Sequence, residues 1–124
     1  MQVSEAESVV MQVLWEADRA LAAEDVVAAL AHSREWQEAT IKTLLNRLLK
    51  KRAIAAKREG RRYLYSPVLQ REAWLLGESE GLLGRLFGGR VAPLVAHFSQ
   101  HRKLDPADIA ALRKLLEEID DGKP

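Results

Sequence analysis

The stretch from Ala39 to Arg62 combines an amphipathic helical pattern with a concentration of positive charge. Apolar residues recur in its first half at the i, i+3, i+4, i+7 and i+8 spacing of one helical stripe: Ile41, Leu44, Leu45, Leu48 and Leu49. Between Lys42 and Arg62 there are nine Lys or Arg residues against one acid, although the whole chain has a formal net charge of only +1. This local excess of cations predicts a surface that binds a polyanion.

The polar side of this helix carries short polar and basic side chains, which are the types that hydrogen-bond base edges and phosphates. The second half of the stretch from Ala39 to Arg62 predicts a hairpin that turns at Glu59-Gly60 and has a basic tip. We predict that both parts contact double-stranded DNA. The candidate residues are Lys42, Thr43, Asn46, Arg47, Lys50, Arg58, Arg61 and Arg62. The alternative for the helix is an ordinary solvated basic face.

The order of elements predicts the fold of the N-terminal part. Ser4 and Glu7 form a capping-box pattern, and helices are expected at about residues 5–17, 23–31 and 38–52, with a turn over 18–22. A two-stranded hairpin follows and closes at Ser66-Pro67. Three helices and a hairpin in this order are typical of a winged helix-turn-helix, so we predict a mainly α fold with a DNA-binding domain over residues 1–67.

Residues 68–124 have a different composition, with eight basic and nine acidic residues. Helices are expected at about 69–87, at 90–99, and from Asp105-Pro106, where an aspartate cap precedes a proline. Such short, leucine-rich helices would expose a large apolar patch if they stayed alone. We therefore predict a helical dimerisation domain that forms a twofold homodimer and sets two recognition helices about one DNA turn apart.

Composition excludes several other functions. The chain has no cysteine, which removes disulfides, thiolate catalysis and cysteine-based metal sites. Without a signal peptide pattern or an apolar run long enough to span a membrane, a cytoplasmic protein is expected. His97 and His101 share a helical spacing but have no convergent acidic ligands, so we predict neither a metal nor a cofactor. No catalytic arrangement of side chains is recognisable, so an enzyme is not expected.

The sequence resembles the BlaI/MecI/CopY family of bacterial penicillinase, methicillin-resistance and copper-responsive repressors. The resemblance extends almost from end to end. It rests on Val13-Leu14-Trp15, on Trp36-x-x-Ala39-Thr40-Ile41-Lys42-Thr43-Leu44-Leu45-Asn46-Arg47-Leu48-x-Lys50-Lys51, on Tyr63-x-Tyr65-Ser66-Pro67, and on the pattern from Leu104 to Arg113. It implies a homodimeric winged-helix repressor that binds a palindromic operator and blocks transcription until a signal releases it. It also adds Thr40 to the predicted DNA contacts.

The chain departs from the family pattern in three places. Gln37-Glu38-Ala39 replaces a Ser-Pro-Lys that is frequent in the family, which removes a helix cap and one basic contact. The absence of cysteine excludes the metal hook of the copper-sensing members. Beta-lactam-responsive members are cleaved between an asparagine and a phenylalanine, and the matching position here is His97-Phe98, which keeps only the phenylalanine.

The resemblance also leaves questions of partners open. The resemblance suggests an upstream membrane sensor or protease as a further partner, and no residue pattern in the sequence tests this. The rival function is a winged-helix module that binds another protein and has no specific affinity for DNA. The window from Lys42 to Arg62 has nine cations against one acid, which favours DNA over this rival.

Overall fold

The computed structural model describes residues 1–122, so residues 123 and 124 of the predicted second domain lie outside the described residues. The helices are α1 (Glu5–Glu16), α2 (Ala23–Leu30), α3 (Glu38–Lys50), α4 (Arg71–Leu86), α5 (Val91–Gln100) and α6 (Pro106–Asp120). The strands are β1 (Leu21–Ala22), β2 (Ile54–Glu59) and β3 (Arg62–Pro67). This confirms the predicted mainly α fold with an N-terminal winged helix. No helix within residues 1–122 is long and apolar enough to cross a bilayer.

The chain divides into two compact units, which we call the N-terminal unit (Met1–Leu75) and the C-terminal unit (from Leu76 onward). The division falls inside α4, later than the boundary predicted after residue 67. The first turn of α4 belongs with the N-terminal unit because the Trp74 ring lies 5.3 Å from that of Trp15. The Trp15 indole also donates a hydrogen bond to the Leu69 carbonyl, at 2.8 Å.

The sheet has three strands where the sequence predicted two. Residues 18–22 were expected to form a turn, but Leu21 and Ala22 form β1, which pairs antiparallel with β3 opposite Tyr65 and Leu64. The strand order is therefore β1-β3-β2. A strand of two residues is too short to show an alternating pattern, so only its long-range pairing reveals it.

Two helices of the N-terminal unit begin with different caps. At α1 the Ser4 hydroxyl accepts from the Glu7 amide and Glu7 Oε1 accepts from the Ser4 amide, which confirms the predicted capping box. At α2 the cap residue is Ala22, which has no side-chain acceptor. Its own amide instead donates to Asp25 Oδ2 at 2.9 Å, so half of a capping box remains.

The core of the N-terminal unit is apolar and continuous. It contains the apolar side of α1, the inward residues of α2, and the predicted stripe of α3: Val10, Met11, Leu14, Leu21, Val26, Leu30, Ile41, Leu44, Leu45, Leu48, Ala53 and Ile54. Because the stripe of α3 is buried in this core, the opposite side of α3 faces outward. The sequence pattern thus fixes which side of the helix is available to a partner.

The C-terminal unit has well-formed helices but no buried residue in the part that the structure describes. The start of α6 follows the predicted Asp105 cap, whose Oδ1 accepts from the Asp108 amide at 2.9 Å. An open apolar groove lies between α5 and α6. It is lined by Val91, Val95, Ile109, Leu112 and Leu116, among others.

Candidate nucleic-acid interface

Helix α3 presents the predicted polar residues on one exposed side. Thr40, Lys42, Thr43, Asn46, Arg47 and Lys50 are all exposed, whereas Ile41, Leu44, Leu45 and Leu48 are buried behind them. The Thr43 hydroxyl donates to the Ala39 carbonyl at 3.0 Å, so its oxygen can still accept a hydrogen bond. A helix that is anchored in this way on an apolar core holds its outer side in a fixed orientation.

The hairpin of β2 and β3 carries the other predicted contacts. Glu59 pairs with Arg62 across a two-residue loop, in which Gly60 has a φ of +65°. This is the first loop position of a short hairpin, where a positive φ favours glycine. Arg58, Arg61 and Arg62 are exposed, and the Arg58 Nε donates to the Gly60 carbonyl at 3.1 Å. The hairpin is therefore a basic wing beside α3.

Acidic side chains outside the basic stretch neutralise some of its cations. Lys42 lies 3.3 Å from Glu38 Oε1, and Arg62 lies 3.4 Å from Glu24 Oε1. Both pairs are exposed, so a phosphate can compete for either cation at little energetic cost. Arg47, Lys50, Arg58 and Arg61 have no ion-pair partner among residues 1–122 and remain available to a polyanion.

Lys51 has a different role from the other cations of this stretch. It follows the last turn of α3, forms an ion pair with Glu7, and donates to the Gln2 carbonyl at 2.9 Å. Glu7 is only 1% exposed. Burial by itself raises the pKa of Glu7, but hydrogen bonds from Lys51 and Ser4 outweigh this effect and hold the pKa below its usual value. The contacts of Lys51 therefore connect the end of α3 to the start of α1.

The aromatic and histidine side chains do not form a second site in the described part of the chain. Trp15 and Trp36 pack against the core, and Arg34 lies over the Trp36 ring at 5.5 Å, in agreement with a packing role. His97 and His101 have ring centroids 4.7 Å apart. Residues 1–122 contain no group of three or more histidine, cysteine or acidic side chains that could hold a metal ion.

Comparison with known proteins identifies the family. The penicillinase repressor family matches residues 3–118. The penicillinase repressor of Bacillus licheniformis is 32% identical over 117 residues, which cover 94% of this chain and 91% of that protein. The chain belongs to the penicillinase repressor family. The members of this family are DNA-binding transcriptional regulators, so family membership confirms the predictions of a repressor and of a protein that is not an enzyme.

Two solved structures of BlaI repressors each match somewhat more than half of the chain. The DNA-binding domain of the repressor BlaI is 36% identical, has a TM-score of 0.52, and covers 56% of this chain and 84% of its own. Monomeric Bacillus licheniformis BlaI in complex with the blaP half-operator is 35% identical, has a TM-score of 0.51, and covers 58% and 87% respectively. Both likenesses support the winged-helix assignment.

The position that matches the cleavage site of some family repressors lies inside a helix. His97 and Phe98 are both within α5, and the His97 ring lies 6.0 Å from Phe87 and 5.8 Å from Phe98. A protease acts on a locally opened segment. Cleavage here would therefore require α5 to unfold locally, and His97-Phe98 stays a prediction.

The acidic side chains that pair with these cations were not predicted from the sequence. Glu38 stands four residues before Lys42, and this i,i+4 spacing could have revealed the pair. The pairs of Glu24 with Arg62 and of Glu7 with Lys51 join residues 38 and 44 positions apart, and no local pattern predicts them.

Proposed function

We propose that this family member binds a palindromic operator as a homodimer and represses transcription by occupying the promoter. The observation that carries the proposal is the exposed polar and basic side of α3, which is fixed on a buried core and flanked by a basic wing. Lys42 and Arg47 would read guanine edges, while Thr40, Thr43, Asn46 and Lys50 would contact bases or phosphates. Arg58, Arg61 and Arg62 would anchor the wing on the DNA backbone.

The C-terminal unit supports the homodimer. None of its residues up to 122 is buried, and its exposed apolar residues include Leu76, Leu82, Leu86, Val91, Phe98, Ile109, Leu115, Leu116 and Ile119. An apolar surface of this extent requires a partner. A second copy that packs about a twofold axis would cover it and would match the symmetry of a palindrome. We propose residues 1–67 as the DNA-binding domain and 68–124 as the dimerisation domain, whose exposed apolar surface lies in the C-terminal unit from Leu76 onward.

Release by a signal is proposed from the family resemblance. An upstream membrane sensor or protease would act on the C-terminal unit at His97-Phe98, after α5 opens locally. Loss of the dimer would weaken the hold on a two-site operator, because each half would then bind separately. Since the proposed partner is double-stranded operator DNA, we propose that the protein acts in the cytoplasm.

Fluorescence anisotropy with labelled duplexes tests the proposed function. The specific probe is a duplex that the wild-type protein selects from a random pool, and the second probe is a random duplex. We expect Arg47→Ala to weaken binding to the selected duplex by about tenfold or more, and binding to the random duplex by much less. Lys114→Ala is the control, because Lys114 is an exposed cation of α6 in the C-terminal unit.

The salt dependence separates DNA binding from the rival protein-interaction module. Phosphate contacts predict a steep, linear loss of log affinity with log salt concentration. If the Arg47→Ala variant lost affinity equally on both duplexes, Arg47 would not be a residue that reads bases. A wild-type protein that shows no affinity for any duplex at low salt would refute the proposed function.

A further inference from the structure

Glu38 is an acid on the surface that is proposed to meet a polyanion. It is the first residue of α3, its side chain is 62% exposed, and its Oε1 lies 3.3 Å from Lys42 Nζ. The other charged side chains on the exposed side of α3 are the cations Lys42, Arg47 and Lys50. A carboxylate in this place repels phosphates, so it weakens binding to DNA in general.

Two effects in the free protein explain in part why a glutamate stands at position 38. An acid in the first turn of a helix interacts favourably with the helix dipole. This helix needs such support, because the cap residue Gln37 forms no side-chain capping bond. The i,i+4 pair with Lys42 adds a further contribution. Both effects act without DNA, and neither distinguishes one DNA sequence from another.

The position of Glu38 points to base readout. In a helix-turn-helix, the N-terminal residues of the recognition helix are the ones that contact base edges in the major groove. A carboxylate can only accept hydrogen bonds, and cytosine presents the N4 amino donor there, whereas guanine presents the acceptors N7 and O6. Lys42 stands one turn further along the same side, and a lysine donates to those guanine acceptors.

We propose that Glu38 is a specificity-determining residue that accepts a hydrogen bond from the N4 amino group of a cytosine in each half-operator. This inference rests on the proposed function, because it assumes that α3 enters the major groove. At the operator, the hydrogen bond from the cytosine amino group offsets the repulsion between the carboxylate and the phosphates. On sequences without that cytosine the carboxylate lacks a well-matched donor, because the N6 amino group of adenine lies beside the acceptor N7, and the net effect is repulsion. Glu38 thereby lowers affinity for random DNA and concentrates affinity on sites with that cytosine.

Selection from a random duplex pool, done in parallel with wild type and Glu38→Gln, tests the proposal. The glutamine keeps the shape of the side chain but removes its charge, and with it the dipole interaction and the pair with Lys42. Its amide both donates and accepts, so it suits adenine rather than cytosine. We expect wild type to enrich half-sites with an invariant cytosine, and we expect the variant to lose that preference. Thermal unfolding of both proteins checks that the variant is folded.

Binding constants for two defined duplexes make the test quantitative. The first duplex carries the enriched cytosine, and in the second a T·A pair replaces that C·G pair. Wild type should lose about tenfold in affinity on the second duplex, and the Glu38→Gln variant less than about twofold. The variant should also bind random duplex more tightly than wild type does.

Glu24→Gln is the matched control. Glu24 pairs with Arg62 at 3.4 Å, its side chain is 68% exposed, and it lies on α2, outside the recognition helix. Its removal should raise affinity for both duplexes by the same factor and should preserve the tenfold preference for cytosine. Two outcomes would contradict the inference, and they are distinguishable. A Glu38→Gln variant with the wild-type preference overturns the inference alone, whereas a wild type that enriches no sequence overturns the proposed function as well.

Discussion

The two units of the chain use similar leucine-rich helices in opposite ways. In the N-terminal unit, three helices and a small sheet surround one core in which Val10, Val26 and Leu48 are completely buried. In the C-terminal unit, α5 and α6 have apolar sides of the same kind, yet Leu115, Leu116 and Ile119 remain more than half exposed. The N-terminal unit has a core of its own within a single chain, whereas the C-terminal unit leaves its apolar sides exposed, as a surface that meets a partner does.

The difference shows that the two units depend on different contacts for their stability. Burial within one chain stabilises the N-terminal unit at any protein concentration. The apolar surface of the C-terminal unit stays exposed in the single chain, so in the proposed homodimer the stability of this unit would depend on concentration. All three tryptophans lie in the N-terminal unit, at positions 15, 36 and 74, so their fluorescence reports the unfolding of that unit.

The largest expected effect comes from truncating a core leucine. Leu45 is 1% exposed, and Leu45→Ala should lower the free energy of unfolding of the N-terminal unit by about 3 kcal/mol. The loss should be the same at all protein concentrations in urea titrations followed by tryptophan fluorescence.

Leu116→Ala is the matched change in the C-terminal unit, where Leu116 is 59% exposed and lines the groove between α5 and α6. It should leave the tryptophan transition almost unchanged and should weaken dimer formation in analytical ultracentrifugation. If instead the variant lowered the stability of the N-terminal unit equally at every concentration, the contrast between the units would fail.

An intermediate effect is expected at the buried charge of the N-terminal unit. Glu7→Gln removes the partner of Lys51 and should destabilise this unit by about 1–3 kcal/mol at pH 7. The folded pKa of Glu7 lies below its usual value, so the unfolded chain binds more protons than the folded chain as the pH falls.

The contribution of Glu7 is therefore fully present above the ordinary glutamate pKa of about 4.3 and disappears as the pH falls through the lower folded value. Urea titrations at pH 7 and at pH 3 should show the difference between wild type and Glu7→Gln shrinking at the lower pH. Glu117→Gln in α6 is the control, since Glu117 is exposed, and it should change stability little at either pH. A difference that stayed constant with pH would contradict the assigned ion pair.

The smallest effect concerns two arginines with the same backbone strain, one in each unit. Arg52 (φ 63°) follows α3 and Arg102 (φ 56°) follows α5, and in each case the next amide bonds back to the carbonyl five residues before it. This helix ending favours glycine, because a side chain costs energy in the left-handed region. The strain is the same in both units, although their burial differs.

Arg52→Gly should raise the stability of the N-terminal unit by about 0.5 kcal/mol, since relief of strain is partly offset by the freedom of glycine in the unfolded chain. Thermal unfolding without DNA, followed by tryptophan fluorescence, measures this gain. Arg102→Gly should leave the same transition unchanged because Arg102 lies in the other unit. Equal gains from both changes would show that the two units unfold together.

Local patterns in the sequence predicted much of the fold. The stripe of Ile41, Leu44 and Leu48 gave the inward side of α3, and the Ser4 capping box and the Asp105 cap gave two helix starts. These features depend on residues within one or two turns of each other, so the sequence carries the whole signal. The wing was predictable for the same reason, since its turn and its strands are adjacent in the chain.

Contacts between distant residues were not predictable. Strand β1 exists because Leu21 and Ala22 meet β3, more than 40 residues away in the sequence. The ion pair of Glu7 and Lys51 joins the two ends of the N-terminal helical region, and it removes from the basic surface a cation that composition alone counts as available. Arg62 also has a distant partner, Glu24 on α2, but this pair is exposed and leaves the arginine open to a competing phosphate.

By itself, the sequence determined the helices, the wing, the buried side of α3 and the concentration of cations around it, because side-chain spacing along one helix or hairpin fixes these features. Only the tertiary structure decided which of those cations are free, where the third strand lies, and which unit has a core of its own. These outcomes depend on packing between segments far apart in the chain, and such packing is encoded in the sum of many contacts rather than in any local pattern.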